Sequence, residues 1–158
     1  MLPLPESLQH ALREGPLNAA LDAVIAHFGC QAGTYHRLEN GILQLAASAH
    51  IPPPVIALVQ QVPIGKGIAG LAAERMAPVT ICNLQTDTSG QARPAARTTG
   101  MEGSLAVPAL RADGSLGGVL GIAKASAHDW TEAETAAVTE AARFFCHTRI
   151  TPARIQTP

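Results

Sequence analysis

The fold turns on SLAVPALRADGSLGGVLGIA, residues 104–123. Two apolar arms flank Asp113-Gly114, a pair suited to the positive φ angles of a tight hairpin turn. Both arms are apolar at nearly every position rather than at alternate ones. That pattern predicts a strand pair covered on both faces, at the centre of a sheet. Pro108 interrupts the first arm and removes a ladder donor, so a bulge or an unpaired edge is expected there.

The rest of the chain must supply the two covering layers. Before the hairpin, residues 4–13 are a weak helical candidate that ends at Gly15-Pro16. From Pro16, the residues Leu17, Ala20, Leu21, Val24, Ile25 and Phe28 fall on one helical face, and Gly29 is placed to stop the helix. Residues 32–39 and 42–48 flank Asn40-Gly41, a strong hairpin signal. A two-residue turn pairs Glu39 with Ile42 and Arg37 with Gln44. Thr34, His36, Leu38, Leu43 and Leu45 then share one face, expected to meet the core, and Tyr35, Arg37, Gln44 and Ala46 share the other.

After Pro52-Pro53-Pro54, the residues Val55, Ile56, Val59 and Val62 read as a short helix ended by Pro63. A glycine-rich loop, residues 64–70, enters a second short helix that runs through Arg75. Residues 78–82 form a short strand, and residues 83–99 are polar and loop-like, with room for one helical turn near 92–97. The last helix is expected over residues 131–150. It opens on the capping box Thr131-x-x-Glu134, buries Ala133, Ala137, Ala141, Phe144 and Phe145, and ends before Pro152.

Composition narrows the function. The 158 residues fit one domain, with 47% hydrophobic and only 3% aromatic residues, so the core rests on aliphatic side chains. The net charge of −1, without a basic cluster, gives no footprint for nucleic acid. Three unpatterned cysteines, Cys30, Cys82 and Cys146, read as reduced thiols of a cytoplasmic protein. No run is long enough to span a membrane, and MLPLPESL lacks the basic start of a secretory signal.

Helix, hairpin, two short helices, strand, hairpin and long helix make an antiparallel α+β arrangement. At this point a family resemblance enters. VPIGKGIAGLAAERMAPVTICN, residues 62–83, resembles the lid-and-strand segment of GAF domains. Residues 100–134, ending in Trp130-Thr131-x-x-Glu134, resemble their central hairpin and closing helix. The likeness covers about residues 16–145. It implies a sheet of order about 2-1-5-4-3, with terminal helices on one face and short helices and loops enclosing a small-molecule pocket on the other. The domain is placed at residues 16–150, after an N-terminal segment 1–15 and before a tail 151–158.

Several motifs compete with blander readings. Gly65, Gly67 and Gly70 satisfy G-x-G-x-x-G, but no strand precedes them in a βαβ unit, so a glycine-hinged lid is the better reading than a nucleotide loop. Lys66 could meet an anionic ligand, although a solvated lysine is the commoner case. His27, Cys30, Cys146 and His147 could form a metal cluster, but at these separations the spacing diagnoses nothing, and no metal is assigned. Free methionine-(R)-sulfoxide reductases, one branch of the family, use cysteines in and around the lid; here the lid position is Ala69, the loop 83–103 has no cysteine, and Cys82 reads as a small apolar residue near the pocket. Only Lys124, Trp130 and Glu134 match the cyclic-nucleotide signature, which suggests a structural Lys124–Glu134 pair. Cys146-His147 has the letters of a bilin attachment site but lies on the closing helix. None of the six histidines is singled out for haem, and no cofactor is named.

The expectation is therefore a non-enzymatic sensory module with a small-molecule ligand. It would signal through its terminal helices to a partner protein or in a homodimer, the latter suggested by the adjacent Phe144 and Phe145 pointing about 100° apart. A divergent thiol reductase is the alternative. The expected cavity lies between the sheet and residues 64–103. Its candidate lining is Ile68, Leu71, Met76, Ile81, Asn83, Asp87, Arg97 and Ser104.

Overall fold

The computed structural model describes residues 4–146. Its centre is a six-stranded antiparallel sheet of order β3-β2-β1-β6-β5-β4. In chain order the strands are β1 (Ala32–Glu39), β2 (Ile42–Ala49), β3 (Gln61–Pro63), β4 (Val79–Ile81), β5 (Gly103–Leu110) and β6 (Leu116–Lys124). The α+β class is as expected. The five anticipated strands keep their order, and β3 is added outside β2, where Val62 pairs with Leu43.

That added strand corrects the expected helix through Val62. Helix α3 (Pro53–Leu58) stops early, with Val59 as its C-cap. The chain then extends, and Gln60 O accepts from Leu45 N. Pro63 is acceptable as the last residue of an edge strand, where a missing N–H breaks no ladder.

The central hairpin β5–β6 is paired throughout, and residues Gly103–Ala109 are all buried. Pro108 sits in register opposite Val119 without a bulge, and the register shifts between Ala109 and Leu110 instead; the unpaired edge expected at Pro108 is present, on the side away from β6. β4 pairs only with Ser104–Ala106, so from Val107 onward one side of β5 is already unpaired. The turn also differs from expectation. Only Gly114 has positive φ, at 86°. Asp113 accepts from Ser115 N (2.9 Å) and Ser115 Oγ (2.6 Å), which closes a longer turn with its side chain.

The β1–β2 turn has φ of 52° at Asn40 and 79° at Gly41, and Glu39 pairs with Ile42 as expected. A register shift between Tyr35 and His36 then sets Tyr35 opposite Ala47. The shared faces hold, but the main core lies on the face opposite to the one expected. Tyr35 is buried in it, its ring 5.0 Å from that of Phe145. Three helices explain the choice: α1 (Glu6–Glu14), α2 (Leu17–His27) and α5 (Glu132–Phe144) all bring aliphatic stripes to this side. Leu8 and Leu12 of α1 belong to the same cluster as Leu21 and Val24 of α2 and Val138 and Ala141 of α5.

Thr131 caps α5 as expected: its Oγ1 accepts from Glu134 N, and Glu134 Oε1 accepts from Thr131 N. The helix runs 13 residues, about 20 Å, shorter than anticipated; the calls on His147 and residues 148–150 lie outside the described residues. Phe145 is buried, while Phe144 is half-buried against the same core with the Arg13 guanidinium 5.9 Å from its ring centre. One broad stripe thus accommodates both rings.

The other face carries a smaller cluster of Leu43, Val62, Ala72, Ala73, Val79, Ala106 and Val119. Over it lie α3, α4 (Gly67–Arg75) and a 3₁₀ turn (Pro94–Thr99). No helix among the described residues is long and apolar enough to cross a membrane.

Candidate ligand pocket

Between the sheet and these short elements lies a cavity of about 160 Å³. The sheet forms its floor. β1 brings Thr34 and His36 to this face, β5 brings Ser104 and Ala106, and Gly121 of β6 lies between Thr34 and Ala106 in register. A glycine at the middle of that row leaves the floor open where any side chain would stand. Apolar residues of α3 and the following turn, among them Val55, Leu58 and Val59, wall one side. Residues 66–69, at the start of α4, and Arg93, Ala96 and Thr99 complete the enclosure.

The polar groups in this apolar setting are few. His36 is 3% exposed, and its Nε2 lies 2.9 Å from Val59 O, so the ring donates there. Its Nδ1 is buried without a partner. Burial lowers the imidazole pKa below its ordinary value, only partly offset by the Val59 carbonyl. The neutral ring therefore carries an acceptor lone pair at Nδ1. An unmet buried polar atom costs about 1–3 kcal/mol. Lys66 and Arg93 are both exposed, and neither has a side-chain hydrogen bond or ion pair among the described residues. Between them the first turn of α4 starts at Gly67, with no side-chain cap from Lys66. The amides of Gly67, Ile68 and Ala69 thus have no intrahelical acceptor.

The candidate residues divide. Ile68 and Ser104 line the cavity. Leu71 packs half-buried into the smaller cluster. Met76 is the left-handed C-cap of α4 and is 44% exposed, and Ile81 is buried in β4 outside the cavity wall. Asn83, Asp87 and Arg97 organise the loop instead. Asn83 Oδ1 accepts from Gln85 N, Asp87 Oδ2 from Ser89 N and Oγ, and Arg97 donates to Leu84 O and Asp87 O. Missed by the sequence reading were Arg93, Thr99 and the floor glycine Gly121. Thr34 and His36 were legible as one face of β1, and Lys66 was noticed as a possible anion contact.

The thiols lie elsewhere. Cys30 is buried in the helix-side core, and burial pushes its thiol up to about 11. Cys146 packs against Ala109 O and Tyr35 on that same side. Cys82 is exposed and outside the cavity wall, which corrects its reading as a small apolar residue near the pocket; the Asp129 carboxylate beside it raises its pKa. The expected Lys124–Glu134 pair is also replaced. Lys124 Nζ donates to Phe28 O and Gly29 O, while Glu134 pairs with His128 Nε2 at 2.9 Å. Among the described residues, no three His, Cys, Asp or Glu side chains are placed to hold a metal ion.

Known structures share this architecture. The GAF domain of a phosphoenolpyruvate-protein phosphotransferase from Coxiella burnetii superposes with a TM-score of 0.74 at 20% identity, over 95% of this chain and 92% of that one. The nlh2 GAF domain of A. aeolicus in an inactive state gives 0.68 at 18% identity, over 94% and 93%. The free methionine-R-sulfoxide reductase of Neisseria meningitidis, in complex with its substrate, gives 0.67 at 18% identity, over 88% and 78%. No curated protein matches the chain significantly. At these identities the likeness concerns the fold, but the sequence pattern of the GAF domain itself matches residues 13–144. With a six-stranded sheet roofed by short helices and backed by the terminal ones, and with that match over most of its length, the chain belongs to the GAF domain family.

Proposed function

We propose that this chain is a sensory module that binds a small molecule in the cavity over Gly121 and passes the signal to its terminal helices. The observation that carries this reading is the floor: an apolar cavity lined by the hydroxyls of the buried Ser104 and the half-buried Thr34, neither with a hydrogen-bond partner among the described residues. Such a site has a few convergent polar groups in an apolar wall, the usual form of a small-ligand pocket. At about 160 Å³ it suits a ligand below drug size. A route outward exists in the sheet: Thr34 and His36 line the cavity, while Tyr35 between them packs on Phe145 beside α5.

The signal is read by a partner protein or a second copy of the chain, in the cytoplasm. A dimer contact would use exposed alanines of α5 such as Ala133 and Ala136, because Phe144 is already engaged with α1. Sedimentation showing only monomer at high micromolar concentration would defeat the dimer branch.

The alternative is a thiol enzyme of the sulfoxide reductase type, favoured by similarity of fold to that reductase. The absence of any cysteine from the cavity wall supports the binding module instead. Methionine sulfoxide turnover that disappears in Cys82→Ser would reverse that preference. Native mass spectrometry of the protein from its own host tests the binding reading directly, by a retained small-molecule mass. Hydrogen exchange of that complex should show protection rising first in residues 65–76; protection confined to α1, α2 and α5 would refute the site.

A further inference from the structure

The polar groups of the cavity differ in character between its two ends, and this specifies ligand chemistry. The inference rests on the binding reading above. At the α4 end stand two cations without partners, Lys66 and Arg93, and no carboxylate among the described residues pairs with either. The aliphatic stem of Arg93 lies along Gly67; a Cβ there would stand 3.0 Å from Arg93 Cδ. The guanidinium is thus tethered beside the first turn of a nine-residue helix whose leading amides lack acceptors. Free helix amides, the positive end of the helix dipole and two cations make an anion site. At the floor the character changes: the hydroxyls of Thr34 and of Ser104, which is 5% exposed, line the cavity with no protein partner among the described residues. Aliphatic walls separate the two ends.

We propose that the cavity takes a small carboxylic acid carrying a hydroxyl group. Its carboxylate sits at the α4 N-terminus between Lys66 and Arg93, its short hydrocarbon body fills the apolar middle, and its hydroxyl bonds with the hydroxyls of Thr34 and Ser104. Size and charge both favour a carboxylate. An apolar cavity of about 150 Å³ accommodates a benzene-sized body, so a molecule with a branched chain of a few carbons fits within about 160 Å³. A phosphate would bring more charge than an apolar wall tolerates without closer pairing. A carboxylate needs only the mouth groups, where both cations keep contact with water.

The test uses defined probes and amide signals of residues 33–36, 67–69 and 121 in NMR titrations. The probes are 4-methylpentanoate, its 2-hydroxy and 3-hydroxy derivatives, the corresponding methyl esters, 4-methylpentanol and inorganic phosphate. At least one hydroxy acid should bind about tenfold more tightly than the plain acid, the increment of one well-placed hydrogen bond. Its ester should bind about tenfold more weakly. Lys66→Gln and Arg93→Gln, both at exposed positions that tolerate substitution, should each weaken the acid and leave the alcohol unchanged.

Esters equal to acids, hydroxy acids no better than the plain acid, or acid binding indifferent to both substitutions would each overturn the proposal. So would phosphate that binds at residues 67–69 as tightly as any acid. Binding of the alcohol without the acids would overturn the acid assignment and leave the pocket standing. No shift at residues 33–36 or 121 with any probe would remove both.

Discussion

His36 holds its imidazole neutral in the fold because burial opposes the charged form. The consequence for stability has a definite sign. The folded pKa lies below the ordinary 6.5, so between the two values the unfolded chain binds more protons. Stability contributed by His36 is complete above that range and falls as pH drops below about 6.5. Urea denaturation from pH 7.5 to pH 5.5 should show this decline, and His36→Gln should flatten it even if its absolute stability is lower. An identical slope in both proteins would show that His36 is not kept neutral. Gly118 supplies a second case at this scale. A Cβ there would strike His36 O and stand 2.5 Å from Tyr35 Oη, so Tyr35 lies flat across β6 only because position 118 is bare. Gly118→Ala should cost about 1–3 kcal/mol through overpacking, read from the denaturation midpoint.

At the level of elements, the entrance to α5 is held by a reciprocal cap with one addition. Glu134 accepts from Thr131 N and also from His128 Nε2, whose ring packs edge-on against Trp130, 4.6 Å between centres. Burial alone would raise the Glu134 carboxyl, but the Thr131 amide and then His128 hold it below its usual range. Its contribution is therefore present above the ordinary 4.5 and lost as pH falls through the lower folded value. The loss set by Glu134 begins near its ordinary 4.5, at lower pH than the decline set by His36, which begins near 6.5. Thr131→Ala should cost about 1 kcal/mol and should leave the decline between about pH 6.5 and pH 5.5 intact. A change confined to that range would contradict the assignment of the cap to the lower one. The cap was legible in the letters Thr131-x-x-Glu134, because the interaction is local. The His128 contact was not, since the loop from β6 had to fold back before it existed, and Glu134 had been matched with Lys124 instead.

Across the molecule, the same distinction between local and assembled information explains what the sequence disclosed. The hairpins and the doubly buried pair β5–β6 follow from turn residues and apolar runs, whereas the order of the five main strands came with the family resemblance. The family pattern placed the terminal helices opposite the lid. The face that carries the main core was misjudged, because the alternation along β1 and β2 favours the set with more aliphatic residues and cannot weigh the three helices that cover the other one. The candidate lining failed in a related way. Asn83, Asp87 and Arg97 are polar residues near the lid in sequence, but their hydrogen bonds are spent on the loop itself. The floor at Gly121 was hidden because a missing side chain gives no motif; it gains meaning only when Thr34 and Ala106 stand on either side of it.

That floor position gives the sharpest test of the pocket as a whole. A Cβ at Gly121 would meet Thr34 Oγ1 at 3.3 Å and Leu105 O at 3.8 Å, and its backbone is not in the left-handed region. The strand can therefore accept a side chain after a small shift of Thr34. Gly121→Val places a branched aliphatic group in the cavity, where it adds packing and improves strand propensity. Thermal stability should change by no more than about 1 kcal/mol in either direction, because the added volume meets space rather than atoms. Ligand capacity should be lost. Xenon, which enters dry apolar cavities, should shift the amide signals of residues 33–36 and 104–106 in the wild-type protein and leave them unmoved in Gly121→Val. Equal xenon responses in the two proteins would mean that the space over Gly121 is not the binding cavity. A large loss of stability would mean that the floor is already filled when the protein folds in solution.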